Sequence, residues 1–452
     1  MIRNPRLLRP LLRLVRRPRF KPRPPRVKYG VVEVSPYLND AKAAASISAD
    51  FELAWAWREW GVERAERMGF LERGNVPLIL DLLDGFGVPI TWATVGHLFL
   101  DSCNDRKNGL VHSHMPRPQA NRRWEGDWYK HDPSADLATR PAWYCPDLIR
   151  LIQHAKVPHE IGCHSFSHIE FSRECSNEEL IRAEIHECQE VMARFDLRPH
   201  TLVYPFNIMG HHHLDLLSRL GVVVVRHRDA KFGLSYPERD PSGVYKIYET
   251  MSLRESTYYS QPAKALALLE EAVGRGLCYH LWFHPSNPTA EFQITFREIL
   301  EHMVRLRKRG DLWVATMKDL AAYCEARRTT IVKSHWDTSK LTLSFLSTYD
   351  RSKFGPTELT LRVHCPNRPS KAKLMGGGAT KVLPDPRLRY CGKSGTLTVN
   401  VPSEAESLEL SFTRRRRAGK EPTPKATLSA TQPSLREERK NINDRRVDIL
   451  SR

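Results

Sequence analysis

From about residue 42 to 328 the chain alternates short β-rich runs with amphipathic helical runs, and this alternation is the pattern of an α/β domain on a mainly parallel sheet. Strands are expected at 44–49, 90–95, 159–163, 201–204, 222–226, 278–283 and 312–316. Helices are expected over 76–86, 146–154, 177–195, 212–220, 262–275, 293–308 and 318–328. So many strand-helix units imply a barrel or barrel-like sheet. The stretch 101–143 lacks periodicity and is rich in His, Arg and Trp, so it reads as a long insertion, either a binding loop or disordered.

Past residue 329 the period changes to two, as in Lys340-Leu341-Thr342-Leu343-Ser344-Phe345 and in the runs at 357–363, 396–401 and 407–412. Turn residues separate these runs, which predicts a small antiparallel, sandwich-like β domain. A chain of 452 residues is long enough for two folded units and tails.

The net charge of +18 is not spread evenly. Residues 1–30 carry eleven Lys/Arg and no acid, and 414–452 carry a surplus of seven, so the body from 31 to 413 is formally neutral. A neutral body argues against a dedicated nucleic-acid groove in the folded part, and the basic ends read as disordered tails with peripheral contact to anionic membrane left open. Prolines at 18, 22, 24 and 25 favour disorder of the first segment over a long helix. No run has the length of a membrane-spanning helix or of an uninterrupted signal-peptide core. Nine scattered cysteines without a CxxC pair read as reduced thiols, hence a cytoplasmic location.

Three strand ends carry ionisable groups. The run Glu160-Ile161-Gly162-Cys163 leads into His164-Ser165-Phe166-Ser167-His168, two imidazoles spaced to reach one divalent ion. A second strand ends at Asp50-Phe51-Glu52, where two carboxylates can face one cavity or, alternatively, cap the following helix. A third ends in His284 before Pro285, which holds that histidine extended, while His280 within the same apolar strand reads as structural. All three lie at carboxyl ends, the face where α/β folds assemble active sites.

On these motifs the chain resembles the NodB-homology polysaccharide deacetylases, carbohydrate esterase family 4, across roughly residues 42–328. The carriers are His164-Ser165-Phe166-Ser167-His168 and Leu281-Trp282-Phe283-His284-Pro285. The resemblance implies a distorted (β/α) barrel of NodB type over 31–328, followed by the β domain at 329–413. It implies one divalent ion, Zn²⁺ or alternatively Co²⁺, held by His164, His168 and Glu52, with Asp50 as base and His284 as general acid; exchange of the two carboxylate roles stays open. The family's third motif carries an arginine that orients the catalytic aspartate. Here Leu202-Val203-Tyr204-Pro205-Phe206-Asn207 has none, and Arg226 or Arg228 is the candidate replacement. Tyr204 is a candidate for oxyanion stabilisation, and Trp55, Trp57, Trp128 and Trp143 for stacking on sugar rings at the rim. The implied activity is removal of N-acetyl groups from amino sugars of a polysaccharide, oligosaccharide or lipid-linked precursor. Two alternatives are an amidase acting on a non-sugar C–N bond and a catalytically silent glycan-binding module. Oligomeric state is not indicated.

Overall fold

In the computed structural model the described residues are 26–103, 106–229, 233–254, 262–384 and 388–413. At its centre the fully buried strand Ala43–Phe51 pairs in parallel with Cys278–Phe283 on one side, and with Thr91–Thr94 and Leu312–Val314 on the other. From Thr91–Thr94 the parallel ladder continues through Glu160–Cys163, Thr201–Leu202, Val224–His227 and Tyr245–Tyr248, and Met251–Ser252 extends the other edge beside Cys278–Phe283. Each strand predicted from the sequence falls on one of these. The result is a curled, open sheet, and its parallel strands put Asp50, His164, Arg226 and His284 at one end.

Burial on both faces explains the sequence texture, because a parallel strand covered on both sides has no solvent face to mark with polar residues. Within Ala43–Phe51, Ser46, Ser48 and Asp50 alternate with apolar residues and share one face. That face is polar yet buried, so its groups must be paired internally.

The first helix runs Val62–Phe86, starting well before the expected residue 76. Its first half is rich in charge and Pro77 interrupts it, which obscured the period. Packing holds it together through the buried Ala65, Gly69, Glu72, Asn75, Val76, Ile79 and Leu83. At Gly69 a Cβ would lie 2.9 Å from the Ala142 carbonyl oxygen and 3.1 Å from the Ala54 nitrogen, so the close approach requires glycine.

The C-terminal β region consists of two five-stranded antiparallel sheets. One holds Val27–Tyr29, Val32–Val34, Glu358–His364, Thr396–Pro402 and Arg389–Cys391; the other holds Thr330–Asp337, Lys340–Ser347, Ser407–Ser411, Lys371–Gly376 and Ala379–Val382. They share a core that includes Val34, Leu341, Leu361, Val399, Leu408 and Leu410. Two expectations change here. Residues 27–29, read as the end of a basic arm, form a strand, and 32–34, read as part of the barrel domain, pair with Leu361–Val363. The period-2 signal in Val32-Glu33-Val34 is too short to identify without its partner strand. The rest of the expected arm (1–25) and the expected tail (414–452) lie outside the described residues. No helix among the described residues is long and apolar enough to cross a membrane.

Candidate metal-binding active site

The loop after Glu160–Cys163 turns sharply, with Ser165 and His168 both at φ 58°, a conformation a non-glycine residue holds only when its surroundings enforce it. The turn swings His168 back beside His164, their ring centroids 5.1 Å apart. His164 Nδ1 lies 2.8 Å from the Val203 carbonyl oxygen. A carbonyl only accepts, so Nδ1 carries the proton and Nε2 is directed into the site. There it meets Glu52 Oε1 at 2.7 Å, and His168 Nε2 meets the same oxygen at 3.0 Å. One carboxylate oxygen facing two ring nitrogens is a donor set suited to a divalent cation, and the three ligand atoms lie within 4.8 Å of one another. His284 Nε2 stands 3.5 Å from the other oxygen of Glu52. These residues therefore fit a divalent ion.

Neither carboxylate caps the short helix Leu53–Trp60, for which no side-chain cap bond exists at Glu52. Asp50 is held from the far side by Arg226, Nη1 to Oδ1 at 2.5 Å and Nη2 to Oδ2 at 2.7 Å. Arg226 also donates to Ser48 Oγ and Asn207 Oδ1, and its guanidinium lies 4.7 Å from the Trp282 ring centroid. Arg228 points away, exposed and paired with Glu249 at 3.1 Å. Of the two arginines, only Arg226 reaches the aspartate.

Burial and charge act against each other in this site. Burial alone would raise the Glu52 carboxyl, but the charges of His284 and His168, and then the contacts with the His164 and His168 rings, hold it well below its ordinary range. Burial pushes the His168 imidazole down to about 4. His280 bridges Ser46 Oγ at 2.7 Å and Ser48 Oγ at 3.0 Å, and burial, then the Arg226 charge, hold it well below the usual histidine range. It is a paired structural residue beneath the site.

The first helix supplies two supports that the motif reading missed. Glu72 Oε1 accepts the Glu52 backbone N–H at 2.8 Å, and Asn75 Nδ2 donates to the carbonyls of Pro285 and Asn287 at 2.7 and 2.9 Å. Three residues apart, they share a helix face. One fixes the backbone of Glu52, the other the loop that carries His284. Burial, then the Glu52 charge, raise the Glu72 carboxyl well above its ordinary range, as suits a neutral neighbour of an anionic ligand.

Asp50, Glu52, His168 and His284 open on a cleft of about 230 Å³ whose other walls include Trp57, Trp60, Phe206 and Asn207. Trp60 is half exposed and packs 5.2 Å from Trp57, forming an aromatic rim. Trp55 is not at this rim; it is buried against His97, Tyr129 and Trp143. Trp128 and Trp143 are buried as well. Tyr204 packs on Phe171 with its hydroxyl buried and does not line the cleft. Trp60 and Phe206 had no separate signal, because what brings them to the cleft is the turns that precede and follow the strands.

Residues 68–225 match the family model described as polysaccharide deacetylase. Over that segment the chain is similar to the polysaccharide deacetylases of NodB type. The chain is also similar to several solved structures. A Mycobacterium smegmatis protein with a provisional polysaccharide deacetylase name is 18% identical over 69% of this chain and 96% of that one, with a TM-score of 0.46. A Streptococcus mutans family 4 carbohydrate esterase is 14% identical over 62% and 87%, with a TM-score of 0.34. A family 4 pseudoenzyme from Bacillus anthracis is 13% identical over 63% and 66%, with a TM-score of 0.33. Comparison with curated proteins finds no match.

Proposed function

We propose that the deacetylase domain hydrolyses the N-acetyl group of an amino sugar within a glycan, with one divalent ion, Zn²⁺ foremost, held by Glu52, His164 and His168. The observation that carries this reading is the convergence of both histidines on one oxygen of Glu52, beside an Asp50 clamped by Arg226 in the same cleft. When bound, such an ion polarises a carbonyl and makes water more acidic.

The chain's own groups divide the remaining work. Arg226 occupies one lone pair on each oxygen of Asp50 and fixes the carboxylate plane, leaving the other lone pairs free to accept a proton from the attacking water. His284 is partly exposed at the cleft mouth, where Nε2 can hand a proton to the departing amine. Edge contacts from Trp282 and Trp57 hold its ring, and Asn75 holds the next residue's carbonyl. Trp57 and Trp60 offer faces for a sugar ring. Eight of the nine cysteines are buried and none forms a disulfide, which fits a reducing, cytoplasmic setting and favours a glycan precursor as substrate.

The test is acetate release from a panel of N-acetylated glycans with added Zn²⁺ or Co²⁺, with chelator, and beside His164→Ala. Metal-dependent release that the variant lacks is the expected result. No release from any glycan, with metal still bound through His164, would favour a non-sugar amide substrate or a silent binding domain.

A further inference from the structure

Away from the cleft, four further side chains with metal-ligating atoms converge. His97 lies in the turn Gly96–Phe99 that follows the strand Thr91–Thr94; Cys103, His112 and Asp132 come from the aperiodic insertion. None is more than 4% exposed. His97 Nε2 and His112 Nε2 are 3.1 Å apart, Cys103 Sγ is 3.0 Å from His112 Nε2, and Asp132 Oδ2 is 3.2 Å from His112 Nε2, 3.3 Å from His97 Nε2 and 3.7 Å from Cys103 Sγ.

Hydrogen bonding does not account for this arrangement. An imidazole nitrogen carries at most one proton, yet His112 Nε2 faces three polar atoms at bonding distance. A tetrahedral ion does account for it. With metal–ligand lengths of roughly 2.0–2.3 Å, the edges of the ligand tetrahedron are about 3.3–3.6 Å, against 3.0–3.7 Å for these five spacings, and all four ligand atoms lie within 4.8 Å of one another. The ligand charges agree too, since a thiolate, a carboxylate and two neutral imidazoles together balance a dication. The other oxygen of Asp132 already accepts the Ser134 backbone N–H at 2.8 Å, which aims Oδ2 inward as a single ligand atom.

We propose that His97, Cys103, His112 and Asp132 form a second metal site, taking Zn²⁺ or a similar tetrahedral divalent ion, that fastens the insertion to the deacetylase domain. All four positions are filled by protein, so the site is structural and leaves no place for a substrate. Its shell is aromatic, with Trp55 4.3 Å from His97 and Tyr129 4.8 Å from His112 between ring centroids. Fastening the insertion also steadies the catalytic loop, because Trp128 donates to Ser167 Oγ and its carbonyl at 3.0 and 3.1 Å, immediately before His168.

The test is the full chain produced in cobalt-supplemented medium, read by metal analysis and absorption. The active-site set of Glu52, His164 and His168 contains no thiolate, so a near-ultraviolet thiolate-to-cobalt charge-transfer band reports the second site alone. The expected result is two equivalents of metal with the band, one equivalent with the band in His164→Ala, and loss of the band with one equivalent retained in Cys103→Ala. The wild-type spectrum and His164→Ala decide the matter even if Cys103→Ala fails to fold. Absence of the band in the cobalt-loaded wild type, or its persistence in Cys103→Ala, would overturn the proposal. Loss of acetate release alone, with the band intact, would count against the proposed reaction and leave this site standing.

Discussion

Arg226 grips Asp50 with two parallel hydrogen bonds, and both side chains are largely buried. A lysine cannot reproduce a planar, two-pronged contact. Arg226→Lys is therefore expected to lower kcat by about 10- to 100-fold while metal content stays unchanged. Arg226→Met leaves a buried carboxylate without its partner and is expected to destabilise the fold by about 3–5 kcal/mol, read from urea unfolding.

The two acidic residues should separate cleanly in function. Asp50→Asn removes a proton acceptor and is expected to cost about 10²- to 10⁴-fold in kcat with the metal retained. Glu52→Gln replaces the anionic carboxylate on which His164 and His168 converge with a neutral amide, a poor ligand, so loss of metal is expected to accompany loss of activity. Metal analysis of the two purified variants checks the assignment, and the opposite pattern would exchange the roles.

His280 is expected to matter for stability alone. Its ring bonds two buried serine hydroxyls, and His280→Ala takes one partner from each while Arg226 still donates to Ser48 Oγ, at a total cost of about 1–3 kcal/mol. Denaturant unfolding should show that loss, while metal content is unchanged.

Glu184 gives a prediction for pH. Its carboxyl accepts Ser167 N–H and Oγ–H at 2.8 and 2.5 Å and is fully buried, and burial raises its pKa; Arg58 and Tyr129 face it. A carboxyl whose folded pKa lies above its unfolded value binds more protons when folded, so stability falls as pH rises from the unfolded pKa through the folded one. Glu184→Gln cannot ionise. Its stability relative to the wild type should therefore improve from pH 4 toward pH 8, measured by urea midpoints, and an unchanged difference would contradict the assignment.

Much of this arrangement was legible in the sequence because strand ends advertise themselves. Cys163-His164 and Phe283-His284-Pro285 each place an ionisable group directly after an apolar run, and a parallel sheet gathers such ends on one side. The choice between Arg226 and Arg228 was not legible, because it depends on where the strand Val224–His227 stops. Glu72 and Asn75 were hidden by a charge-rich helix whose start was obscured, since their partners are distant in the chain. The insertion looked shapeless because its order comes from contacts such as Trp128 with Ser167 and not from local period. Trp55 carried the same composition signal as Trp57, and only the turn of the helix Leu53–Trp60 separates the core residue from the rim residue.

The most direct test of the account is acetate release from N-acetylglucosamine oligomers, normalised to metal bound in the same sample, for wild type and Asp50→Asn. The account predicts release by the metal-loaded wild type, its loss on chelation, and a large drop in Asp50→Asn at equal metal content. Equal release by the two proteins, or no release by a fully metal-loaded wild type, would contradict it.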